Sequence, residues 1–491
     1  MTLPTYIGAL EELAVRFADE PALIDGPRRL TFAQLWARVL QCQRWLSQQG
    51  VRPGQWVGIT VGQQDLHLFV RLALLRMGCS QIALPTFESE GARHAIAGRV
   101  PLSHVVHDRP DFIWPDGVAV LALSERELSG LSSVGEPPIE AVAGALLVWT
   151  SSGTTGSAKL IPFDGRKLLS MARVWPWSRS GMAKTVISIE HNLGLRMILR
   201  SLIDGRATLT SEMSSSTTIW GQCRQEGVTE MTMPLSHAQG ALSVLSPGER
   251  EAGLGLSSMT LYLIGSKIPK PLVDELAAAT GAEVIVVYGS SELGAISFAT
   301  VECLARHPDG VGFPFSSVEV RIVDDRYQPL PAGQAGKIGL RSEACVDAYL
   351  FDEELTRRHF RDGWFYPGDV ATQLSDGMLV FHGRADDMMI MGSINIFPAE
   401  IEAVAAAFPG VLDCAAFGIP SRIHGRIPGL ACVASESLDA DALLRHCRSV
   451  LGLRAPRKVF RVDALPRNSL GKVLRNELVD LVSQGSGGVP A

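Results

Sequence analysis

The stretch LLVWTSSGTTGSAK, residues 146–159, decides the fold and chemistry expected of this chain. Four apolar residues predict a buried strand, which leads directly into a loop of hydroxyl residues and glycines that ends at Lys159. Glycines let the backbone approach a phosphate closely, and hydroxyl and amide groups can surround its oxygens. The loop is not a Walker A motif, because the lysine does not directly follow the last glycine. It predicts a phosphate site at a strand end, although an ordinary surface loop can have the same composition.

Outside this stretch, strand-like and helical patterns alternate along the chain. Residues 56–61 (WVGITV) and 284–288 (VIVVY) predict buried strands, while residues 66–77 and 270–279 have helical spacing. Alternation of this kind is typical of α/β sheets with helices packed on their faces. Around residues 318–341 the pattern changes to short strands separated by proline and glycine turns, which indicates a β-rich subdomain.

A new α+β unit begins near residues 384–387. It is expected to contain a helix at 398–408, a strand at 415–419, a helix at 439–452 and a hairpin-like stretch to Leu478. We therefore expect an α/β fold in three parts. These are a large N-terminal domain of α/β subdomains plus a β-rich subdomain (1–384), a small α+β C-terminal domain (385–480) and a disordered tail (481–491).

Composition narrows the class of protein. The 491 residues are 46% hydrophobic, with a net charge of −6 and a pI near 6.0, so there is no basic surface to favour nucleic acid as a partner. The most apolar run, residues 141–149, is shorter than the about 20 residues that cross a bilayer. The N-terminus resembles no signal peptide, and the eight cysteines are dispersed without metal-ligand spacing. We expect a cytoplasmic protein without a membrane span.

A second candidate motif is YGSSE, residues 288–292, at the end of the second predicted strand. An aromatic ring, a glycine, two hydroxyls and a carboxylate suit a nucleotide and its metal. Glu292 offers a hard oxygen ligand of the kind that Mg²⁺ takes together with substrate phosphates. By itself the motif could equally be a turn that ends a strand.

Two further motifs lie closer to the C-terminus. Residues 363–369 (GWFYPGD) and 383–387 (GRADD) supply an aspartate that could accept from ribose hydroxyls and an arginine that could donate to the sugar or a phosphate. Residues 466–472 (PRNSLGK) end in a Gly-Lys turn. Taken singly, these could be a turn aspartate with a surface ion pair and an exposed lysine.

In this order and spacing, the four motifs resemble those of the adenylate-forming superfamily, which includes acyl-CoA synthetases, peptide-synthetase adenylation domains and luciferases. The resemblance runs from about Pro21 to Leu478. It implies that the C-terminal domain is mobile and that the active site lies between the two domains. It also implies ATP and Mg²⁺ as cofactors, a small-molecule carboxylic acid as substrate, and an acyl-AMP that is passed to CoA or to the phosphopantetheine of a carrier protein.

The resemblance also assigns residues. It makes Lys472, His191 and Thr154 catalytic, with Lys472 bridging the substrate carboxylate and the α-phosphate. Tyr288 resembles the adenine-stacking aromatic, Asp369 and Arg384 the ribose-binding pair, Glu292 the Mg²⁺ ligand and Asp386 the hinge. The nucleotide-binding set is Thr150, Ser151, Ser152, Gly153, Thr154, Thr155, Gly156, Lys159, Tyr288, Gly289, Ser290, Ser291, Asp369 and Arg384. The acyl-substrate set is His191, Asn192, Gly265, Ser266, Gly289 and Gly294.

The chain departs from the family pattern in several places. Ala158 and Leu160 replace the proline and glycine that usually flank the loop lysine. Lys337 stands where the family usually has glutamate, and Ile390 where many members have a second lysine after the hinge. The last change argues against a second step of the luciferase type.

The acid is the part that the sequence defines least. Members that activate amino acids generally carry an aspartate near residues 188–192 (SIEHN) to pair with the α-ammonium. Glu190 instead directly precedes His191, where acyl-CoA synthetases usually have an aromatic residue, so an acid without an α-amino group is favoured. Two alternatives stay open, which are a stand-alone enzyme that loads a carrier protein and an inactive nucleotide-binding homologue. The intact Glu292, Asp369, Arg384 and Lys472 argue against the second.

Overall fold

The computed structural model describes residues 5–109, 114, 117–131, 144–151, 158–175, 181–210, 216–265, 268–391, 394–421, 425–467 and 473–484. The helices of these residues, in chain order, are α1 Tyr6–Arg16, α2 Phe32–Gln48, α3 Gln64–Arg76, α4 Glu90–Ala97, α5 Glu125–Leu128, α6 Gly165–Ala172, α7 Asn192–Ile203, α8 Ser216–Glu226, α9 Leu235–Ser243, α10 Pro247–Ala252, α11 Lys270–Thr280, α12 Val301–Arg306, α13 Glu353–His359, α14 Pro398–Ala406, α15 Ala440–Leu451 and α16 Arg475–Gln484.

The strands are β1 Pro21–Asp25, β2 Arg28–Thr31, β3 Trp56–Thr60, β4 Ser80–Ala83, β5 Leu102–His107, β6 Ala119–Ala122, β7 Leu147–Ser151, β8 Lys159–Phe163, β9 Met182–Thr185, β10 Ala207–Leu209, β11 Val228–Pro234, β12 Thr260–Ile264, β13 Glu283–Ser290, β14 Gly294–Thr300, β15 Gly310–Pro314, β16 Glu319–Val323, β17 Ala335–Arg341, β18 Phe360–Arg361, β19 Trp364–Phe365, β20 Asp369–Gln373, β21 Leu379–Arg384, β22 Met389–Met391, β23 Ile394–Ile396, β24 Val411–Ser421, β25 Gly425–Ala434 and β26 Lys458–Arg461.

Across the described residues these strands form three sheets. The first has the order β6-β5-β3-β4-β7-β8 and is parallel except for β8. The second contains a parallel segment, β1-β10-β9-β11-β12-β13, which continues through antiparallel strands β14, β15, β21, β20 and β17. The third has the order β23-β22-β25-β24, with β26 beside β25. Parallel segments followed by an antiparallel extension are the α/β and β-rich parts expected from the sequence, and the fold class is confirmed.

Buried apolar residues explain why the predicted elements form. The strand β12 is buried after its first residue and β13 over residues 284–287, as continuous apolar runs in parallel sheets are. The third sheet has apolar clusters of its own, made by residues from Met389 onward and including Leu430 and Leu443. A separate sheet with a separate core begins here, five residues after the end of β21 at Arg384. The boundary at 384/385 and the mobility of the C-terminal part stay predictions.

The structure corrects the C-terminal end. The expected hairpin-like stretch is present in part, because Arg467 and Val473 form an antiparallel bridge after β26, but from Arg475 the chain is the helix α16. Leu478 is fully buried, and Val479 and Val482 pack with it against the sheet. Residues 481–484, which the sequence assigned to a disordered tail, are therefore helical, while residues 485–491 lie outside the described part. No helix among the described residues is long and apolar enough to cross a membrane.

Candidate active site

The site lies where the carboxyl ends of two parallel sheets meet. Thr150 is near the end of β7 in the first sheet, and Asn192 follows β9 of the second sheet at the start of α7. The Asn192 side-chain amide donates a hydrogen bond to the Thr150 carbonyl and so joins the two edges. Ligands of open α/β sheets bind at the carboxyl ends of strands, so the topology alone marks this junction.

A tight turn between β13 and β14 presents Glu292. The pairing of the two strands shifts register after Tyr288, so that Gly289 pairs with Ala295 and Ser290 with Gly294. A Cβ on Gly289 would lie 2.5 Å from the Gly294 carbonyl oxygen, and Gly294 itself has a φ of 103°, so both positions need glycine. These two glycines give the turn its shape, and the shape places the Glu292 carboxylate at the strand end.

Arg196 of α7 binds the backbone carbonyls of this turn. Its guanidinium donates to the carbonyls of Ser290 (3.1 Å) and Ser291 (2.9 Å), and it lies 4.4 Å from the centre of the Trp149 ring. Burial lowers the pKa of Arg196 to about 10, and nearby Glu292 opposes the shift. A guanidinium with a pKa near 10 stays cationic at neutral pH, so a fixed positive charge lies behind the Glu292 turn.

The proposed ribose pair lies in adjacent strands in register. Asp369 begins β20 and faces Arg384 at the end of β21, and the Arg384 guanidinium donates to Asp369 Oδ1 over 3.2 Å. The phenol of Tyr288 donates to the other carboxylate oxygen, Oδ2, at 2.5 Å. Burial, and then Asp369, raises the pKa of Tyr288, so the phenol keeps its proton and its place as donor. Tyr288, Asp369 and Arg384, predicted from separate motifs, thus come together.

A second tyrosine, Tyr349, which the motifs did not include, joins two predicted residues. The Tyr349 hydroxyl donates to Glu292 Oε1 at 2.6 Å and accepts from Lys159 Nζ at 3.3 Å. Burial, and then Glu292, raises the pKa of Tyr349 well above its usual value. The lysine of the phosphate loop and the candidate Mg²⁺ ligand are therefore connected through one protonated phenol.

The residues predicted to contact the acid lie in the segment before α7, which packs against the segment after β4. His191 precedes α7, and its ring stacks on that of Phe87 with centroids 4.3 Å apart and planes 23° apart. Burial, with a smaller contribution from His237, lowers the pKa of His191 to about 4. The imidazole is therefore neutral at physiological pH. Gly265, at the end of β12 with a φ of 99°, and Gly294 lie at the strand ends of the second sheet.

Charged pairs surround the proposed hinge. Asp386 accepts from Arg358 over 3.1 Å. Arg475 of α16 contacts Asp387 at 3.4 Å and Glu402 of α14 at 2.6 Å. Burial would lower the pKa of Arg475, but these two carboxylates raise it above its ordinary value. The segment that leaves β21 is thus tied to both the large part and the C-terminal sheet.

Several sequence-predicted residues cannot be placed. Thr150, Ser151 and Lys159 frame the phosphate loop at the ends of β7 and β8. The residues that lie outside the described part of the chain are Ser152, Gly153, Thr154, Thr155, Gly156, Ser266 and Lys472.

The sequence missed Arg196, Tyr349 and Phe87. Each is a single side chain in an otherwise ordinary helix or loop, and only its distance from a predicted residue identifies it. Of these three, only Phe87 could have been sought from the sequence. Glu190 stands where the family pattern usually has an aromatic residue, so the sequence could have prompted a search for an aromatic side chain elsewhere.

The fold and the candidate site are those expected of a nucleotide-binding enzyme with a second, smaller C-terminal domain. The chain matches the family described as AMP-binding enzyme over residues 10–350, and the AMP-binding enzyme C-terminal domain over residues 400–472. It belongs to this family and is an AMP-forming acid–thiol ligase of the acyl-CoA synthetase type, which confirms the membership expected from the four motifs.

Individual relatives extend the match to nearly the whole chain. A 2-succinylbenzoate–CoA ligase of Geobacillus kaustophilus (strain HTA426) is 28% identical and covers 98% of this chain and 98% of its own length. A long-chain-fatty-acid–CoA ligase of Yersinia pestis is 24% identical over 97% of this chain and 94% of its own length. The structure of O-succinylbenzoate Coenzyme A synthetase from Bacillus subtilis in complex with AMP superposes with a TM-score of 0.86, at 23% identity and with coverage of 97% and 98%. The structural likeness shows the fold.

Proposed function

We propose that this chain activates a small-molecule carboxylic acid with ATP, releases pyrophosphate, and transfers the acyl group from acyl-AMP to CoA. The observation that carries the proposal is the convergence of two groups of side chains at one sheet junction. Tyr288, Asp369 and Arg384 form one group, and Lys159 and Glu292, joined by Tyr349, form the other. They have the chemistry needed at the two ends of a nucleoside triphosphate.

The first group suits the nucleoside. Asp369 is only 6% exposed, and its carboxylate accepts hydrogen bonds from Tyr288 at Oδ2 and from Arg384 at Oδ1. Carboxylate oxygens are hydrogen-bond acceptors, which is the chemistry that ribose hydroxyls need. Arg384 and Tyr288 fix the carboxylate in advance, which lowers the entropy lost when the sugar binds.

The second group suits the phosphates and Mg²⁺. Lys159 brings a positive charge to the loop that follows β7, and Glu292 provides one carboxylate whose orientation is set by Tyr349. Mg²⁺ commonly takes one or two carboxylates and completes its shell with phosphate oxygens and water, so this donor set fits the ion. When bound, Mg²⁺ neutralises charge that develops on the phosphates.

The first chemical step joins two anions. A carboxylate oxygen of the acid attacks the α-phosphorus, a new phosphorus–oxygen bond forms, and the bond to the leaving pyrophosphate breaks. Lys159 and, in this proposal, Lys472 supply positive charge where negative charges converge. Thr154 is proposed to add a hydroxyl to the same phosphates, and His191 and Asn192 to hold the acid.

The second step needs a different arrangement around the same acyl-AMP. The thiolate sulfur attacks the acyl carbon, a carbon–sulfur bond forms, and AMP leaves with its phosphate oxygen. We propose that rotation about Asp386 withdraws Lys472 and admits the thiol, since one domain with two faces can serve two incompatible steps. The charged contacts of Asp386 and Asp387 would have to exchange in that rotation.

The proposal also specifies the thiol that accepts the acyl group. CoA is favoured because both relatives compared above are CoA ligases over nearly their full length. A carrier-protein phosphopantetheine offers the same thiol chemistry and is the alternative outcome.

The test is acid-dependent release of pyrophosphate across a panel of fatty, aromatic, dicarboxylic and α-amino acids, followed by addition of CoA or a phosphopantetheinylated carrier protein. The proposal predicts pyrophosphate with at least one acid lacking an α-amino group, and a thioester with CoA. A thioester formed only on the carrier protein would show that the carrier protein, and not CoA, is the acceptor. Absence of acid-dependent pyrophosphate across the panel would contradict the function.

A further inference from the structure

The carboxylate of Glu190 is occupied by the protein itself. The backbone N–H of Thr86 donates to Oε2 at 2.5 Å, and the Thr86 hydroxyl donates to Oε1 at 2.9 Å. Glu190 is 7% exposed, so water competes little for these bonds. Both oxygens therefore hold the segment that follows β4, and the buried carboxylate is engaged by donors of the protein itself.

This contact joins two separate parts of the fold. Thr86 follows a strand of the first sheet, whereas Glu190 follows β9 of the second, and 104 residues separate them. The next residue after Thr86 is Phe87, whose ring stacks on His191. Two adjacent residues on one segment thus contact two adjacent residues on the other, and the Glu190 hydrogen bonds fix where the Phe87 ring lies.

Charges around Glu190 come from several elements. Arg71, within the buried part of α3, and Arg109 supply positive potential, and Asp108 supplies negative potential. Arg71 is held by hydrogen bonds to His67 (3.0 Å) and Gln81 (3.1 Å). The Glu190–Thr86 contact is thus surrounded by charged groups of the protein, and the stacked rings of Phe87 and His191 lie next to it.

We propose that Glu190 is a positioning residue that fixes Phe87 against His191, and that this pair forms an aromatic wall selecting acids with an apolar acyl group and no α-ammonium. The inference rests on the proposed function, because the wall acts on the acid that is adenylated. Phe87 is 45% exposed although one of its faces is stacked, so ring surface remains for a ligand. An aromatic residue from a different segment replaces the one that the family pattern usually has at position 190.

The test compares Glu190→Ala, Phe87→Ala and the double variant on the best apolar acid found in the panel. Each single change is expected to raise the KM for the acid about tenfold, or about 1.4 kcal/mol, with the KM for ATP unchanged. Since Glu190 acts through Phe87, the double variant should lose no more than either single one. Glu190→Gln keeps an oxygen for the Thr86 N–H and a polar partner for its hydroxyl, and should restore most of the affinity. Glu88→Ala, on an exposed residue of the same segment, is the matched control.

Outcomes against the proposal are distinct from failure of the function. Pyrophosphate release with unchanged acid KM in both single variants, additive losses in the double variant, or parallel changes in the KM for ATP would overturn it. So would a wild-type preference for α-amino acids.

A second measurement needs no substrate and is made on variants whose NMR spectra show the folded protein. Titration of His191 by NMR in the free protein should show its pKa, about 4 in the wild type, rising toward 6.5 in Phe87→Ala. A smaller rise is expected in Thr86→Val, which removes only the hydroxyl donor. An unchanged His191 pKa in Phe87→Ala would show that the ring does not cover the imidazole.

Discussion

On the nucleotide side, Asp369 and Arg384 are 15 residues apart and are paired by the register of two adjacent strands. On the proposed acid side, Glu190 and Thr86 are 104 residues apart and lie in segments that follow strands of two different sheets. The first arrangement is local, and it belongs to the part of the site that we propose binds ATP. The second depends on how two sheets pack, and its ligand differs between relatives, which include ligases named for 2-succinylbenzoate and for long-chain fatty acids. Short motifs can therefore define the nucleotide site, whereas the acid pocket depends on tertiary contacts.

The largest effect is expected for Lys472→Ala, on the nucleotide side. Loss of a charge that acts mainly in the transition state should slow adenylation by roughly 10²–10³, or about 3–4 kcal/mol. Thioester formation from supplied acyl-AMP and CoA should be largely retained, because that step does not need the lysine. Both half-reactions are measured on one preparation, and equal loss of both would contradict the assigned role.

An intermediate effect is expected for Glu292→Gln. A neutral amide is a poorer ligand for a hard dication, so adenylation should slow about tenfold at limiting Mg²⁺ and recover in part when Mg²⁺ is raised. The control is Glu343→Gln, which makes the same change at an exposed carboxylate. A Mg²⁺ dependence equal to that of the wild type would show that Glu292 is not the Mg²⁺ ligand.

A smaller change on the same side is Tyr349→Phe. The ring keeps its packing, while the hydrogen bonds to Glu292 and Lys159 are lost. Net contributions of about 0.5–1.5 kcal/mol predict a KM for ATP a few-fold higher with the KM for the acid unchanged. A change in the KM for the acid alone would show that Tyr349 acts at the acid site and not at the nucleotide site.

The smallest expected effect is on pH dependence at the acid side. Burial lowers the pKa of His191 to about 4, so the imidazole is neutral from pH 8 down to pH 6 and should not attract the substrate anion more strongly at the lower pH. A histidine with an ordinary pKa near 6.5 would become more positive across this interval and lower the KM. The KM for the acid should therefore be nearly equal at pH 6 and pH 8 in both the wild type and His191→Gln. Tighter binding at pH 6 that the variant loses would show a charged imidazole.

The same distinction explains what the sequence could predict. Tyr288, Glu292, Asp369 and Arg384 could be predicted from residue type and spacing, because each lies at a strand end or turn where a short motif fixes its position. Arg196, Tyr349 and Phe87 were not found, because their roles arise from contacts between distant segments. The helix α16 was mistaken for the end of a hairpin, since its one buried stripe, formed by Leu478, Val479 and Val482, is short and becomes apparent only against the third sheet.

The most direct test of the central claim is a single-turnover experiment with an acid identified from the panel. Enzyme in excess over ATP should release pyrophosphate and form acyl-AMP in equal amounts before any thiol is added. Addition of CoA should then convert the acyl-AMP to acyl-CoA with release of AMP. Formation of ADP and phosphate, or release of pyrophosphate without an acyl-AMP that CoA can consume, would contradict a two-step acid–thiol ligase.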